Sequence, residues 1–317
     1  MIGIEDVEAA AGVIEGHVVR TPTVTSPGLS ELLGAPVTAK LELLQRTGSF
    51  KARGAVAKLL SLTEAERAAG VVAVSGGNHG IGLAVMAGAL HVKATVVMPH
   101  SAPERAVEVA ESAGATVRLA DDMAGAFALT DQLRAEGSTL VHPFDDSAVI
   151  AAQGTVGLEL AEDAGELTDV LVSIGGGGLI SGVATALRAK RPGVRIWGVE
   201  TEGAEAMSAA LAAGGPVAVE LSSIVSTLSA PAVSELTYQH VREMVEDVLV
   251  VPDSEAVQGV LDLAGHAKLW AEPAAGCLLP AARRIIAERE DVKLGLVVCG
   301  GNATPADVMA WADRFRG

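Results

Sequence analysis

Cysteine is nearly absent, with Cys277 and Cys299 the two thiols of the chain. Neither sits in a close Cys/His cluster, which excludes a zinc site of that kind, and no disulfide framework follows from one pair, which suits a reducing cytoplasm. Aromatic residues are scarce at 3%, so Val, Leu, Ile and Ala must fill the core. Basic residues are outnumbered: 23 Lys and Arg face 39 Asp and Glu, for a formal net charge of -16. That balance speaks against nucleic-acid and anionic-membrane partners, both of which need clustered cations, and it favours solubility. The first residues, Met1 to Gly16, carry acids and no basic segment, so no signal peptide is expected. No apolar run is long enough to cross a bilayer.

A hydrophobic content of 50% over 317 residues supports a sizeable core, in one large domain or two smaller ones. Short β-branched runs alternate with small-residue turns and Ala/Leu-rich helical stretches. Val71–Val74 leads into a predicted helix from Asn78 to Leu90, Ala94–Met98 into one from Pro103 to Ser112, and Thr116–Leu119 into one from Met123 to Ala135. Later, Val170–Ile174 leads into Gly178–Ala189, and Arg195–Val199 into Ala204–Ala213. This order predicts two open, mostly parallel α/β units, with strands buried on both faces. Residues 63–147 are expected to form a small domain inserted into a large one made of 1–62 and 148–317. Gly214–Pro231 is the longest irregular segment, and a loop of that length is often functional.

Four segments carry chemistry. Lys51, in Gly48-Ser49-Phe50-Lys51-Ala52-Arg53-Gly54-Ala55, stands at a predicted helix start. The positive end of the helix dipole disfavours its charged form, and an easily deprotonated amine suits Schiff-base chemistry; the bland alternative is a solvated surface lysine. Gly175, Gly176, Gly177 and Gly178 follow an apolar strand and open a helix, so their N–H groups can converge on a phosphate. They fit neither the dinucleotide fingerprint nor a Walker loop, and the alternative is a flexible turn. Ser75-Gly76-Gly77-Asn78-His79-Gly80 repeats the strand-to-helix arrangement. Asn78 could donate to a phenolate or carboxylate, or simply cap its helix; His79 could be a base, or structural. Cys299, at the end of the strand Leu294–Val298, either faces a ligand crevice or is a small buried apolar group. A phosphate cup, an imine-forming lysine and an anion loop together specify a phosphorylated aldehyde cofactor, and pyridoxal 5'-phosphate fits.

The chain resembles the fold-type II pyridoxal-phosphate enzymes, in the threonine/serine dehydratase and serine racemase branch, which have a tryptophan synthase beta-like fold with the cofactor between two domains. The likeness rests on these segments and on Leu41-Glu42, His142-Pro143, Gln153-Gly154-Thr155 and Glu272-Pro273-Ala274-Ala275-Gly276, in that order along nearly the whole chain. It implies that Lys51 binds the cofactor covalently and later moves the Cα proton. It implies further that Phe50 packs on the ring, Asn78 meets the ring hydroxyl, and Gly175 to Gly178 hold the phosphate. Ser75, Gly76, Asn78 and His79 resemble the substrate-carboxylate loop, and Cys299 takes the Ser/Cys position beside the pyridine nitrogen. A neutral group there favours elimination, whereas an Asp would prolong the carbanion.

The departures matter as well. Racemase-like members carry a second serine where this chain has Gly76, which points to dehydration. Metal-binding members use a Glu, a carbonyl and a carboxylate; Glu200 and Ala204 supply the first two, while Ala206 stands in the third place, for which Glu202 or Glu205 would have to compensate. Ser226–Pro231 replaces the usual Ala-Asp-Gly segment near the substrate. The resemblance therefore implies a cytoplasmic homodimeric lyase. It would convert a small β-hydroxy amino acid such as L-threonine or L-serine to a 2-oxo acid and ammonia. A racemase on the same scaffold and a non-catalytic pyridoxal-phosphate-binding protein are the rivals.

Overall fold

In the computed structural model, residues 1–315 are described. Their strands form two sheets. The larger contains β1 (Thr23–Thr25), β2 (Val37–Leu41), β7 (Asp169–Ser173), β8 (Arg195–Thr201), β9 (Asp247–Val251) and β10 (Leu294–Val298), in the order β1-β2-β10-β7-β8-β9. The smaller contains β3 (Val71–Val74), β4 (Ala94–Pro99), β5 (Thr116–Ala120) and β6 (Thr139–Leu140), in the order β5-β4-β3-β6. All strand pairings are parallel except β1 with β2. The chain is thus an α/β protein with two mostly parallel sheets, and β3 to β6 all fall within residues 63–147.

Burial on both faces holds for the inner strands: every residue of β7 and β10 is buried. It fails at β5, where Thr116, Arg118 and Leu119 are exposed, because β5 is an edge strand with one flank open. The expected helices after the turns form, with ends shifted by a residue or two. The helix Met123–Ala135 starts where expected because the Asp122 carboxylate accepts a hydrogen bond from Gly125 N.

The strands of the larger sheet pack in one apolar cluster, and a second cluster joins helices of both halves to β3 and β4. Val7 of the first helix, Ala52, Ala55 and Val56 of the helix Lys51–Leu60, Leu83 and Met86 of the helix Asn78–Ala89, and Ile150 of the helix Ser147–Asp163 share one apolar cluster. The Lys51 helix therefore lies between the halves. Its other side is fixed by charge: the buried Arg53 guanidinium pairs with Glu42 at 2.8 Å and with Glu159 at 2.6 Å. Lys40, also buried, donates to Glu159 and to Thr21 O. Each ion is hydrogen-bonded, the condition under which buried charges are tolerated.

Candidate active site

The chain leaving β3 meets the chain leaving β10: Asn78 bonds to Asn302, and both bond to Glu272. Lys51 is the first residue of its helix, half-buried, and its Nζ donates to the Pro143 carbonyl at 2.9 Å. Desolvation lowers its pKa to about 8, which raises the neutral fraction near neutral pH above that of an ordinary lysine. The Phe50 ring centroid lies 5.1 Å from Nζ, and Phe50 N donates to Cys299 O at 3.1 Å, tying the lysine motif to the end of β10.

Cys299 is buried, and its thiol is pushed up to about 12 by desolvation and then by Glu272. It is a neutral thiol rather than a thiolate, and its Sγ accepts from Ser173 Oγ at 3.4 Å. That excludes the nucleophilic role a low-pKa cysteine would have.

Gly175 to Gly178 run from β7 into the helix Gly178–Lys190, with Gly177 at φ +88, a conformation open to glycine. Their backbone N–H groups donate to no other group among the described residues. A Cβ on Gly176 would stand 2.0 Å from the Phe144 ring, so the turn has no room for side chains. Unengaged amides converging at a helix N-terminus are the donor set a phosphate needs.

The Ser75–Gly80 loop is divided. Gly76, Gly77 and Asn78 line a cavity of about 100 Å³ together with Ser226, Thr227 and Glu272. The long irregular segment after Gly214 thus supplies part of the pocket wall. Ser75 Oγ turns back along the chain and accepts from Gly77 N at 3.2 Å. The His79 side chain, expected with the substrate loop, is placed differently. Its Nε2 is 2.8 Å from Val141 O, it is buried, and desolvation and then Lys51 push its pKa down to about 3. A neutral ring engaged with a backbone carbonyl joins the start of the Asn78 helix to the end of β6; it cannot serve as a base toward the pocket.

Glu272 belongs to a motif shared with the family, and the sequence assigns it no role of its own, yet it is the most connected acid in the crevice. Asn78 Nδ2 donates to its two oxygens at 3.0 and 2.9 Å, and Asn302 N donates to Oε1 at 2.8 Å. Burial raises its pKa, while bonds from Asn78, Asn302 and Thr227 favour the charged form. A Glu before a Pro offers no periodic or spacing signal; only the fold brings it to Asn78.

Glu200 is engaged at the start of the next helix. Its oxygens accept from Met207 N at 2.7 Å, Ser208 N at 2.9 Å and Ser208 Oγ at 2.7 Å, so it caps the helix Ala206–Ala213. Ala206 brings no carboxylate, and Ala204 N bonds to Thr201 O as part of the same turn. Glu205, which the sequence offers as a compensating carboxylate, has a buried Oε2 without a hydrogen-bond partner among the described residues, and no step is assigned to a cation.

Comparison with known proteins agrees with this geometry. Residues 14–300 match the family model described as pyridoxal-phosphate dependent enzyme. The chain belongs to the pyridoxal-phosphate dependent enzyme family. It is 39% identical over 306 residues to an L-threonine ammonia-lyase of Thermotoga maritima, covering 95% of this chain and 76% of that one. It is 38% identical over 316 residues to an L-threo-3-hydroxyaspartate ammonia-lyase of a Pseudomonas species, covering 98% of each. Among solved structures, maize serine racemase superposes with a TM-score of 0.91 at 32% identity, over 99% of this chain and 97% of that one. The Dictyostelium discoideum serine racemase gives 0.89 at 32% identity, over 96% and 99%. The residues found here fit the family's defining cofactor: a desolvated lysine, unengaged glycine amides after β7 and a neutral thiol after β10.

Proposed function

We propose that the chain is an ammonia-lyase that dehydrates and deaminates a small β-hydroxy amino acid, such as L-threonine or L-serine, to a 2-oxo acid and ammonia. The carrying observation is a pair of features: a desolvated amine at Lys51, and a cavity lined at Gly76 by a residue with no side chain. The similarity to threonine and hydroxyaspartate ammonia-lyases supports the same reading.

In this reading Lys51 binds the cofactor covalently, Gly175 to Gly178 hold its phosphate, and Phe50 packs on its ring. Cys299 offers the ring nitrogen a neutral partner, and Asn78 donates to the ring hydroxyl. When bound, pyridoxal phosphate supplies an electron sink for the charge left at Cα. Lys51 Nζ takes the Cα proton, a task its lowered pKa suits, since an amine near the ambient pH both accepts and releases protons. The backbone around Ser75, Gly76, Asn78 and His79 receives the substrate carboxylate, aided by the dipole at the start of the Asn78 helix. Ser226 and Thr227 face the substrate side chain across the pocket.

Serine racemase is the second reading, favoured by the superposition on the maize enzyme. It needs a proton carrier on the face opposite Lys51, and Gly76 has none. The setting we infer is a cytoplasmic homodimer with a small inserted domain over 63–147. Among the described residues no helix is long and apolar enough to cross a membrane, and the net charge of -16 disfavours nucleic acid. A panel of hydroxy amino acids, scored by 2-oxo acid release from the pyridoxal-phosphate-loaded protein, tests the activity. Release from L-threonine, L-serine or a close relative is expected; a loaded protein that releases none from the whole panel would overturn it.

A further inference from the structure

Asn78 is held at both ends of its amide. Nδ2 donates to Glu272 Oε1 and Oε2 at 3.0 and 2.9 Å, and Oδ1 accepts from Asn302 Nδ2 at 2.8 Å. The two oxygens of one carboxylate lie close together, whereas the two N–H bonds of an amide diverge. One N–H is therefore shared between both oxygens, and the other is left over. Asn302 cannot turn either, because its Nδ2 also donates to Thr47 O at 2.8 Å while its backbone N donates to Glu272 Oε1.

The backbone is shaped to admit this network. A Cβ on Gly300 would stand 2.6 Å from Glu272 Oε1 and 3.2 Å from Asn78 Nδ2. Gly48, at φ +71, would put a Cβ 2.2 Å from Asn302 Oδ1. Glu272 is 3% exposed and has no cationic partner among the described residues, so its burial is supported by these N–H donors and by Thr227. A buried carboxylate kept at that cost needs a purpose beyond packing.

We propose that Glu272 is a positioning residue: with Asn302 it fixes the Asn78 amide in one orientation, so that the remaining Asn78 N–H is presented to the ring hydroxyl of the cofactor. An unanchored amide would rotate about its side chain and offer its carbonyl oxygen as often as its nitrogen. The carboxylate accepts only, so it forces the nitrogen toward itself; the Asn302 amide donor forces the oxygen the other way. Glu272 thereby acts on the cofactor through Asn78 and also ties the Asn78 helix, on one side of the crevice, to the segments after β10 on the other. The proposal rests on the assignment of Asn78 above.

Titration of the cofactor-free protein with pyridoxal phosphate, followed by visible absorbance, is the test. It gives an affinity and an absorption maximum independent of turnover. Glu272→Ala and Asn302→Ala should each weaken cofactor binding by about tenfold, the order of one lost oriented hydrogen bond, with a displaced absorption maximum. Asn78→Ala should cost at least as much, and Glu272→Ala added to Asn78→Ala should cost little more. Equal losses from Glu272→Ala with and without Asn78, or an unchanged affinity in Glu272→Ala, would overturn the proposal. Asn302→Ala keeps the carboxylate in place, so it tests the same idea even where Glu272→Ala does not fold; unchanged affinity and spectrum there overturn it equally. A wild-type protein that binds pyridoxal phosphate normally but releases no 2-oxo acid would remove the lyase reading and leave this one standing.

Discussion

Lys51 Nζ rests 2.9 Å from the carbonyl oxygen of Pro143, a contact between the first turn of one helix and the chain leaving the smaller sheet. The carbonyl holds the amine in place without giving it a counter-charge, so desolvation decides its pKa. Lys40 makes the informative contrast. It too is buried with a pKa lowered by desolvation, but there Glu159 pairs with it and favours the charged form.

That contrast predicts where the cofactor attaches. Borohydride reduction of the loaded protein, followed by peptide mapping, should place the pyridoxyl group on Lys51, and none on Lys40 or Lys58. Lys51→Ala should lose visible absorbance and reduce turnover by about 10³-fold or more, within the span of general acid–base losses. The pH dependence follows with its sign. Only the neutral amine attacks an aldehyde, and the folded pKa lies at about 8 rather than 10.5. Stopped-flow mixing of cofactor-free protein with pyridoxal phosphate should show an association rate that rises with pH and is half-maximal near that value. A rate still climbing steeply above about pH 9.5 would place the amine in an ordinary lysine environment.

Gly76 should set the reaction outcome. Chiral chromatography of residual L-serine, beside a pyruvate assay, should show the wild type making 2-oxo acid with little D-amino acid. Gly76→Ser should raise the ratio of racemisation to elimination, but its Cβ would meet the Ala102 Cβ at 2.9 Å. The single variant should therefore lose about 1–3 kcal/mol to overpacking. Ala102→Gly added to it should recover stability and show the larger shift in ratio. Wild-type protein that racemises L-serine as fast as it makes pyruvate contradicts the argument.

The charged cluster behind the Lys51 helix should dominate local stability. Arg53→Met removes the guanidinium that Glu42 and Glu159 share and leaves Glu42 a buried acid without its ion-pair partner, while Glu159 keeps Lys40. Urea unfolding should show a loss of about 3–5 kcal/mol. Arg53→Lys should recover only part of it, because an ammonium cannot form the forked pairs. Equal stability of Arg53→Met and wild type would show the cluster to be dispensable.

His79 should make the fold acid-sensitive. Its folded pKa is depressed to about 3, below the ordinary 6.5. The unfolded chain therefore binds one more proton between those limits, and this residue's contribution to stability is lost as pH falls through them. His79→Gln keeps a donor for Val141 O and removes the titration. The stability difference between wild type and variant should shrink as pH drops from about 6.5 toward about 4. A difference constant over that range would mean that the ring is protonated in the fold.

Much of the chemistry was legible in the sequence because it depends on local order. A lysine opening a helix, four glycines closing a strand and a small-residue turn before Asn78 are each set by neighbours in the chain, and the backbone dipole and N–H groups follow from that order. The alternation of strands and helices determined the parallel α/β architecture for the same reason. Tertiary structure alone decided what touches what across the crevice. It turned the His79 ring to Val141 O, although the loop reads as a ligand site. It turned Glu200 into a helix cap. It brought Glu272 and Asn302, far along the chain, onto the Asn78 amide, and made Gly300 and Gly48 serve that network. Hydrogen-bond partners so far apart in sequence leave no periodic trace, since their geometry is set by how the sheets and helices pack and not by any spacing along the chain.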